Sequence, residues 1–264
     1  MTSDANPSLT DAACEVLATA DARAKAAASL AAADEWRSGK IREIGETTPP
    51  DRPARPGKPE LMPPGRMKRR GMGTLQGRIS LLHAVAHIEL NAIDLAWDII
   101  ARFPEMPRAF HDDWVQVGAE EATHFLLISD RLAALGAGYG DHPAHDGLWL
   151  SAQATADDIA ARLAIVPMVL EARGLDVTPG MIEKLDRAGD SESANALRII
   201  YRDEVGHVAI GKRWFDHVCA ERGIDPLPTW RQLVEERFTG TLKPPFNDEA
   251  RGRAGIPAEY YLGF

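Results

Sequence analysis

The stretch LRIIYRDEVGHVAIGKRWFDHV, residues Leu197–Val218, carries apolar residues at alternating spacings of three and four, which predicts an amphipathic helix. Two polar residues, Glu204 and His207, interrupt the middle of its apolar stripe. Residues three apart are neighbours on a helix surface, so both side chains share the direction of the stripe. A glutamate and a histidine on a predicted core face are therefore the first feature to explain.

The same pair recurs on the helix predicted at about 107–135, where Glu121 and His124 interrupt the apolar stripe. With 18 glutamates and 8 histidines in the chain, chance placement supplies fewer than one Glu-x-x-His motif. One such motif would carry no information. Two motifs, both centred on apolar stripes, form a specific pattern.

A single glutamate precedes each motif and also interrupts an apolar stripe. Glu89 does so on the helix predicted at about 75–102, and Glu171 on the helix predicted at about 156–173. The separation from the single glutamate to the next motif is 32 residues in the first half and 33 in the second. This repetition indicates one helical hairpin used twice.

Two interpretations of this pattern remain open. Glutamate and histidine at this spacing can pair with each other, or the stripes can face solvent. Against this, four carboxylates in one core would be costly unless paired or metal-bound, and no lysine or arginine occupies these stripes. Two divalent cations would balance four carboxylates, and imidazole with carboxylate suits iron or manganese. The pattern favours a metal site.

The composition predicts an all-helical protein, because the 264 residues include 41 alanines and few β-branched or aromatic runs. Four long helices with modest connections favour a four-helix bundle. The remaining helices are predicted at about 9–37, 179–188, 191–222 and 229–238. We expect one domain in four parts. These are an N-terminal helical extension at 1–46, a proline-rich linker at 47–73 that wraps as extended chain, a four-helix metal-binding core at 74–222 and a C-terminal tail at 223–264.

Charge and composition narrow the class of protein and its compartment. The formal net charge of −9 argues against general nucleic-acid binding. No run approaches 18 apolar residues, and the polar N-terminus at 1–11 has no apolar segment, so neither a transmembrane helix nor a secretory signal is expected. Cys14 and Cys219 are far apart in sequence, which favours a reducing cytoplasm.

The four stripes resemble those of the ferritin-like di-iron carboxylate bundles, whose site takes one glutamate from each of two helices and Glu-x-x-His from each of two others. More closely, the chain resembles an uncharacterised ferritin-like domain-of-unknown-function family of bacterial proteins. The matching stretches are HAVAHIELNAIDLAWD (His83–Asp98), EEATHF (Glu120–Phe125), RLAIVPMVLEARGLDVTP (Arg162–Pro179) and YRDEVGHVAIGKRWF (Tyr201–Phe215). The resemblance implies two iron ions, alternatively manganese or a mixed pair, held by Glu89, Glu121, His124, Glu171, Glu204 and His207.

Other polar residues near these motifs have two interpretations each. Asp203 and Glu120, directly before the motif glutamates, would hydrogen-bond a ligand histidine or else be solvated acids. His83 and His87 could bind metal as an i, i+4 pair, but His87 lies two residues from Glu89 and so faces elsewhere, which favours polar packing.

The first functional hypothesis is an oxidoreductase that uses dioxygen or peroxide on an unknown small-molecule substrate, with an unknown electron donor. The alternatives are a non-catalytic metal-binding or iron-handling protein, a degenerate site kept as a scaffold, and an RNA-modifying hydroxylase. Relatives by fold include a tRNA-modifying hydroxylase, and a basic cluster at 66–70 offers charge for RNA. A solvated linker is the favoured interpretation of that cluster. The alanine-rich first helix suggests a homodimer.

Overall fold

The computed structural model describes residues 7–63, 66 and 71–263. Within them the secondary structure is helical, with one isolated parallel bridge between Leu61 and Ala144, so the all-helical class is confirmed. The helices are α1 (Leu9–Ala18), α2 (Ala22–Arg37), α3 (Leu75–Arg102), α4 (Arg108–Ala134), α5 (Gly147–Gln153), α6 (Ile159–Ile165), a π-helix (Val166–Glu171), α7 (Ala172–Arg187), α8 (Ser191–Arg222), α9 (Pro226–Arg237), α10 (Asp248–Arg253) and a 3-10 turn (Ala258–Tyr260).

The chain divides into two compact units. The first contains the described residues of 1–69 and 79–146, and the second those of 70–78 and 147–264. The ferritin-like bundle expected over 74–222 stays a prediction. The basic cluster expected at 66–70 lies outside the described residues except for Arg66.

Three helices of the first unit meet at Gly118 of α4. The indole Nε1 of Trp97 on α3 donates to Ser29 Oγ on α2, at 2.7 Å, and Ser29 Oγ donates to the carbonyl of Gly118, also at 2.7 Å. A Cβ atom at position 118 would lie 2.8 Å from that indole nitrogen. The glycine therefore allows the three helices to pack closely with their polar groups paired.

The proline-rich segment crosses the first unit as extended chain, as predicted for its described part. Its backbone finds partners on the N-terminal helices, because the Ala54 N–H donates to the Leu17 carbonyl at 2.8 Å and the Thr47 N–H donates to Thr10 Oγ1 at 3.0 Å. Proline prevents helix here, and these bonds satisfy the donors that remain.

The prediction of one helix over about 9–37 is wrong, because the chain breaks between α1 and α2. Thr19 and Asp21 have extended backbone, and the Asp21 carboxylate accepts from the N–H of Ala24 as the N-cap of α2. Alanine propensity favours one continuous helix, but a capping side chain competes with it locally.

The predicted end of a helix near Gly174 is also wrong. The chain is helical from α6 through the π-helix to the end of α7, and Pro179 lies inside α7. Proline has no N–H, which leaves the carbonyl four residues earlier without its helical donor. That carbonyl, of Leu175, accepts instead from Asn247 Nδ2 at 3.1 Å, so the C-terminal tail supplies the missing bond.

Two smaller differences concern the ends of the second unit. α5 precedes the helix predicted from about 156 and is not among the predicted helices, and α9 begins at Pro226, earlier than the predicted start near 229. The tail docks on α7 through Arg251, whose guanidinium donates Nε to Asp176 Oδ1 at 2.8 Å and Nη2 to Oδ2 at 2.7 Å. Both side chains are buried, so this bidentate pair ties α10 to α7.

Among the described residues, α3 is long and apolar enough to cross a membrane. However, 78% of its most apolar 18-residue window is buried inside the protein. A buried core helix has the same length and composition, so the finding is consistent with a soluble protein.

Candidate metal centre

Three of the predicted ligands come together in the first unit. α3 supplies Glu89, and α4 supplies Glu121 and His124 from adjacent turns. The Nδ1 atom of His124 lies 3.4 Å from Oε2 of Glu89 and 3.4 Å from Oε2 of Glu121. One ligand atom from each residue lies within 4.8 Å of the others. We call these residues the Glu89–Glu121–His124 cluster.

The apolar stripes explain why these polar groups are inside. Glu89, Glu121 and His124 are 3%, 0% and 1% exposed, and their helical neighbours Val85, Ile93, Val117 and Ile128 are buried as well. The periodicity of α3 and α4 turns the cluster into the core together with its apolar neighbours. For these three residues the predicted core position is confirmed.

The electrostatics of the cluster favour a bound cation. Burial, together with the charge of Glu121, raises the pKa of Glu89 to about 8 against the lowering effect of His124. Burial alone would lower the pKa of His124, but hydrogen bonds to Glu121 and Glu89 and their charges outweigh it and raise this pKa to about 11. Both shifts show that the two carboxylates and the imidazole interact strongly in the core, where a proton or a metal ion can compensate the carboxylate charge.

The donor set fits a transition metal. Two carboxylates and one imidazole offer oxygen and nitrogen ligands, the combination that iron, manganese and zinc accept. His124 presents Nδ1 towards both carboxylates, so a metal ion would replace the proton that the imidazole shares with them.

The remaining predicted ligands belong to the second unit. On α8, His207 is fully buried, the Glu204 side chain is 13% exposed, and His207 Nδ1 lies 3.8 Å from Glu204 Oε2. Glu171 is half-buried at the last position of the π-helix. Among the described residues, groups of three or more ligand atoms within 4.8 Å of one another do not include Glu171 or His207. A ligand role for the three residues of this unit stays a prediction.

The π-helix that carries Glu171 begins at Val166 and has Pro167 as its second residue. Pro167 removes a backbone hydrogen bond, and the chain takes up the change as a π-helix rather than as an interrupted α-helix. Gly211 of α8 faces this turn, and a Cβ atom there would overlap the ring of Pro167. Single π turns inside α-helices are frequent at functional sites.

His83 and His87 are packed as buried polar groups, in agreement with the favoured interpretation. His87 places Nδ1 2.8 Å from the hydroxyl of Tyr139 and Nε2 3.0 Å from the carbonyl of His145. The backbone N–H of Gly140 donates to His83 Nε2 at 2.9 Å. Burial is the main cause that lowers the pKa of each imidazole to about 4, so both are neutral at pH 7.

Asp203 and Glu120 have contacts at the surface. Arg202 Nε donates to Asp203 Oδ1 at 2.8 Å, and Gln116 Nε2 donates to Glu120 Oε1 at 2.9 Å. Both acidic residues are half-buried. Hydrogen bonds from either residue to a ligand histidine stay predictions.

A buried charge on α3 is not predicted by the apolar stripes. Asp94 is fully buried, forms an ion pair with the equally buried Lys25, and accepts from Arg55 Nε at 3.1 Å. An aspartate enclosed by apolar residues in the run NAIDLAW was the available signal. The pair is part of how α2, α3 and the proline-rich segment hold together.

Comparison with known proteins gives a family but no activity. A family described as protein of unknown function, DUF455, matches residues 18–262. The chain belongs to this family. An uncharacterized protein of Haemophilus influenzae strain Rd is 43% identical to this DUF455 protein over 225 residues, which cover 82% of this chain and 78% of that protein. No solved structure matches the chain.

Proposed function

We propose that this DUF455 protein binds a transition metal ion through Glu89, Glu121 and His124. The observation that carries the proposal is the convergence of two buried carboxylates on one buried imidazole, with His124 Nδ1 3.4 Å from an oxygen of each carboxylate. Burying a carboxylate costs several kcal/mol unless a cation or a proton compensates its charge. A divalent cation would offset that cost and use every donor of the cluster.

The finer proposal is a ferritin-like dinuclear centre. The repeated pattern of a single glutamate followed by Glu-x-x-His supports six ligands, so Glu171, Glu204 and His207 would complete the set. Two divalent cations would balance the four carboxylates. Iron is the proposed metal, with manganese or a mixed manganese and iron pair as alternatives.

The proposed activity is an oxidoreductase with an unknown small-molecule substrate and an unknown electron donor. A redox-active metal pair supplies, when bound, electrons for oxidation by dioxygen or peroxide. The chain's own part is to hold the ligands in a core that excludes water, since Glu89, Glu121 and His124 are at most 3% exposed.

Three further parts of the proposal rest on composition. The cysteines Cys14 and Cys219 are free thiols, which suits a cytoplasmic protein. A net charge of −9 weighs against an RNA substrate, so the RNA-modifying hydroxylase ranks below the small-molecule enzyme. A homodimer through the alanine-rich N-terminal helices remains part of the proposal.

The first experiment measures metal per chain by elemental analysis, in protein purified without chelator and after anaerobic reconstitution with ferrous iron. The variants are Glu121→Ala, His124→Ala and Glu204→Ala, with the exposed Glu235→Ala as the matched control. About two metal ions per chain, lost in the three ligand variants and kept in the control, support the dinuclear centre. One ion that is insensitive to Glu204→Ala would restrict the site to the Glu89–Glu121–His124 cluster.

The second experiment separates catalysis from iron handling. Reduced, iron-loaded protein is mixed with dioxygen or peroxide, and oxidant consumption is followed while the mass of the particle is measured in solution. Consumption by a monomer or dimer supports an oxidoreductase. A closed shell of many chains that accumulates iron favours the alternative, and the absence of bound metal after reconstitution contradicts both.

A further inference from the structure

The first unit contains a cavity of about 350 Å³ that is separate from the proposed ligands. This volume is typical of small-molecule sites, which range from about 300 to 1,000 Å³. Its walls come from α4, from the start of α2, from the proline-rich segment and from the loop after α4, and include Ala22, Lys58, Phe125, Ser129, Ala133 and Tyr139. We propose that it binds a small organic monoanion, a carboxylate attached to an apolar body.

The apolar body would rest against two aromatic rings. Phe125 and Tyr139 meet edge to face, with ring centroids 5.5 Å apart and an interplanar angle of 86°. The hydroxyl of Tyr139 is held by His87 Nδ1 at 2.8 Å, which fixes the ring in the wall. Rigid aromatic surface of this kind binds apolar groups with little loss of side-chain freedom.

Ser129 is the polar side chain in the α4 wall. It is 7% exposed, and its hydroxyl has no hydrogen-bond partner among the residues that the structure describes. A buried hydroxyl without a partner costs free energy, and a serine usually finds one on its own helix. A carboxylate oxygen in the cavity would supply the acceptor after a rotation about χ1.

The charges around the cavity favour a monoanion. The first N–H groups of α2, at Ala22 and Arg23, precede the first helical hydrogen bonds and point towards the cavity end of the helix. Of the described cations that line the cavity, Arg23 pairs with Asp130, and Lys58 is the one placed to attract the carboxylate of a ligand. Asp21 also lines the cavity, and its negative charge weighs against a dianion such as phosphate.

Along α4, the cavity lies close to the Glu89–Glu121–His124 cluster. Phe125 follows Glu121 by four residues on the same helix face, about 6 Å along the helix axis. A ligand with its apolar end on Phe125 would therefore approach the cluster. None of the cavity residues is a proposed metal ligand, so the inference stands or falls without the metal proposal.

The test uses the full chain, treated with chelator, and benzoate as the probe. Binding is measured by calorimetry and by NMR shift changes, with benzamide as a neutral analogue of the same shape and inorganic phosphate as an anion without an apolar body. We expect benzoate to bind about tenfold more tightly than either. Equal binding of benzoate and benzamide would contradict the assigned charge, and tighter binding of phosphate would contradict the assigned ligand class.

Variants locate the binding. Lys58→Gln should weaken benzoate by about five- to tenfold and leave benzamide unchanged, whereas Lys243→Gln, which removes an exposed charge elsewhere, should have no effect. Ala133 lines the cavity, so Ala133→Leu should fill it and abolish binding of both probes, whereas Ala134→Leu at a neighbouring position outside the lining should not. Binding that survives Ala133→Leu, or no binding of benzoate at all, overturns the proposal. Repeating these measurements on metal-loaded protein distinguishes a failure of this binding proposal from a failure of the metal proposal.

Discussion

Gly211 on α8 and Pro167 in the π-helix approach so closely that a Cβ atom at position 211 would overlap Cβ and Cγ of the proline ring. The π-helix ends at Glu171, a predicted ligand, so this contact lies four residues from it. A missing side chain on one helix thus accommodates an irregular turn on another. The helical register before Glu171 depends on both residues.

Gly211→Ala should therefore destabilise the protein by about 1–3 kcal/mol, the usual cost of overpacking a core. The measurement is the free energy of unfolding in urea. Gly206→Ala on the same helix is the matched control, because no heavy atom lies within 4 Å of its added Cβ and the position is exposed. We expect that control to be stabilised by about 0.5–1 kcal/mol. Equal effects at both positions would contradict a tight contact.

The buried pair of Lys25 and Asp94 makes a second prediction. Burial lowers the pKa of Lys25 and raises that of Asp94, each against the opposing charge of its partner. Asp94→Ala would leave Lys25 buried without this carboxylate and should cost about 3–5 kcal/mol. The double change Lys25→Met with Asp94→Leu should cost less than the single one. Both are measured by urea unfolding.

The exposed pair of Arg23 and Asp130 is the control for that comparison. Their side chains are 54% and 70% exposed, so Asp130→Ala should change the free energy of unfolding by less than about 1 kcal/mol. A cost for Asp94→Ala that is no larger than this would mean that Lys25 keeps its charge satisfied by the Ala54 carbonyl, which accepts from its Nζ at 3.0 Å.

The helical class could be predicted because composition and periodicity act locally. The positions at which helices end could not, since a distant partner or a local cap overrides helix propensity there. Pro179 is tolerated inside α7 because Asn247, far along the chain, donates to the carbonyl that the proline leaves free. Between α1 and α2 a local side chain decides instead. The Asp21 carboxylate caps the start of α2 and so interrupts a run that alanine propensity would continue as one helix.

The Glu89–Glu121–His124 cluster could be predicted from the sequence because helical periodicity is also a local property. Glu121 and His124 share a face through helical geometry alone, and Glu89 joins them because its own stripe is buried. The burial of Asp94 could not be predicted from its own helix, since it depends on Lys25 from another helix and on Arg55 from the proline-rich segment. Periodicity identifies the face of a residue but not the charge opposite it.

Because the imidazole of His83 is buried and neutral, we expect the protein to lose stability in acid. Burial, with the charge of His142, lowers its pKa from 6.5 to about 4, although Asp141 acts in the opposite direction. The unfolded chain therefore takes up the proton first as the pH falls. The stability that neutral His83 contributes is complete above about pH 6.5 and declines as the pH falls through this range to about 4.

The His83→Gln variant measures that contribution. Between pH 7 and pH 4, the free energy of unfolding of the variant should fall by less than that of the wild type. The difference between the two losses should be about 1–2 kcal/mol after allowance for solvent screening. Equal slopes for the wild type and His83→Gln would mean that Gly140 releases His83 and lets it titrate normally.

Metal binding should appear as stability as well as stoichiometry. A ligand that binds only the folded state at a concentration 100 times its dissociation constant stabilises by about 2.7 kcal/mol, so ferrous or manganous ion should raise the Tm of chelator-treated protein. Without metal, a pKa of about 8 leaves Glu89 mostly protonated at pH 7, so Glu89→Gln keeps the shape and the charge of the side chain and removes its capacity to become a carboxylate ligand. The metal-free variant should therefore be at least as stable as the metal-free wild type, yet gain nothing from metal. A variant that is less stable without metal and still stabilised by it would show that Glu89 serves the fold and not the ion.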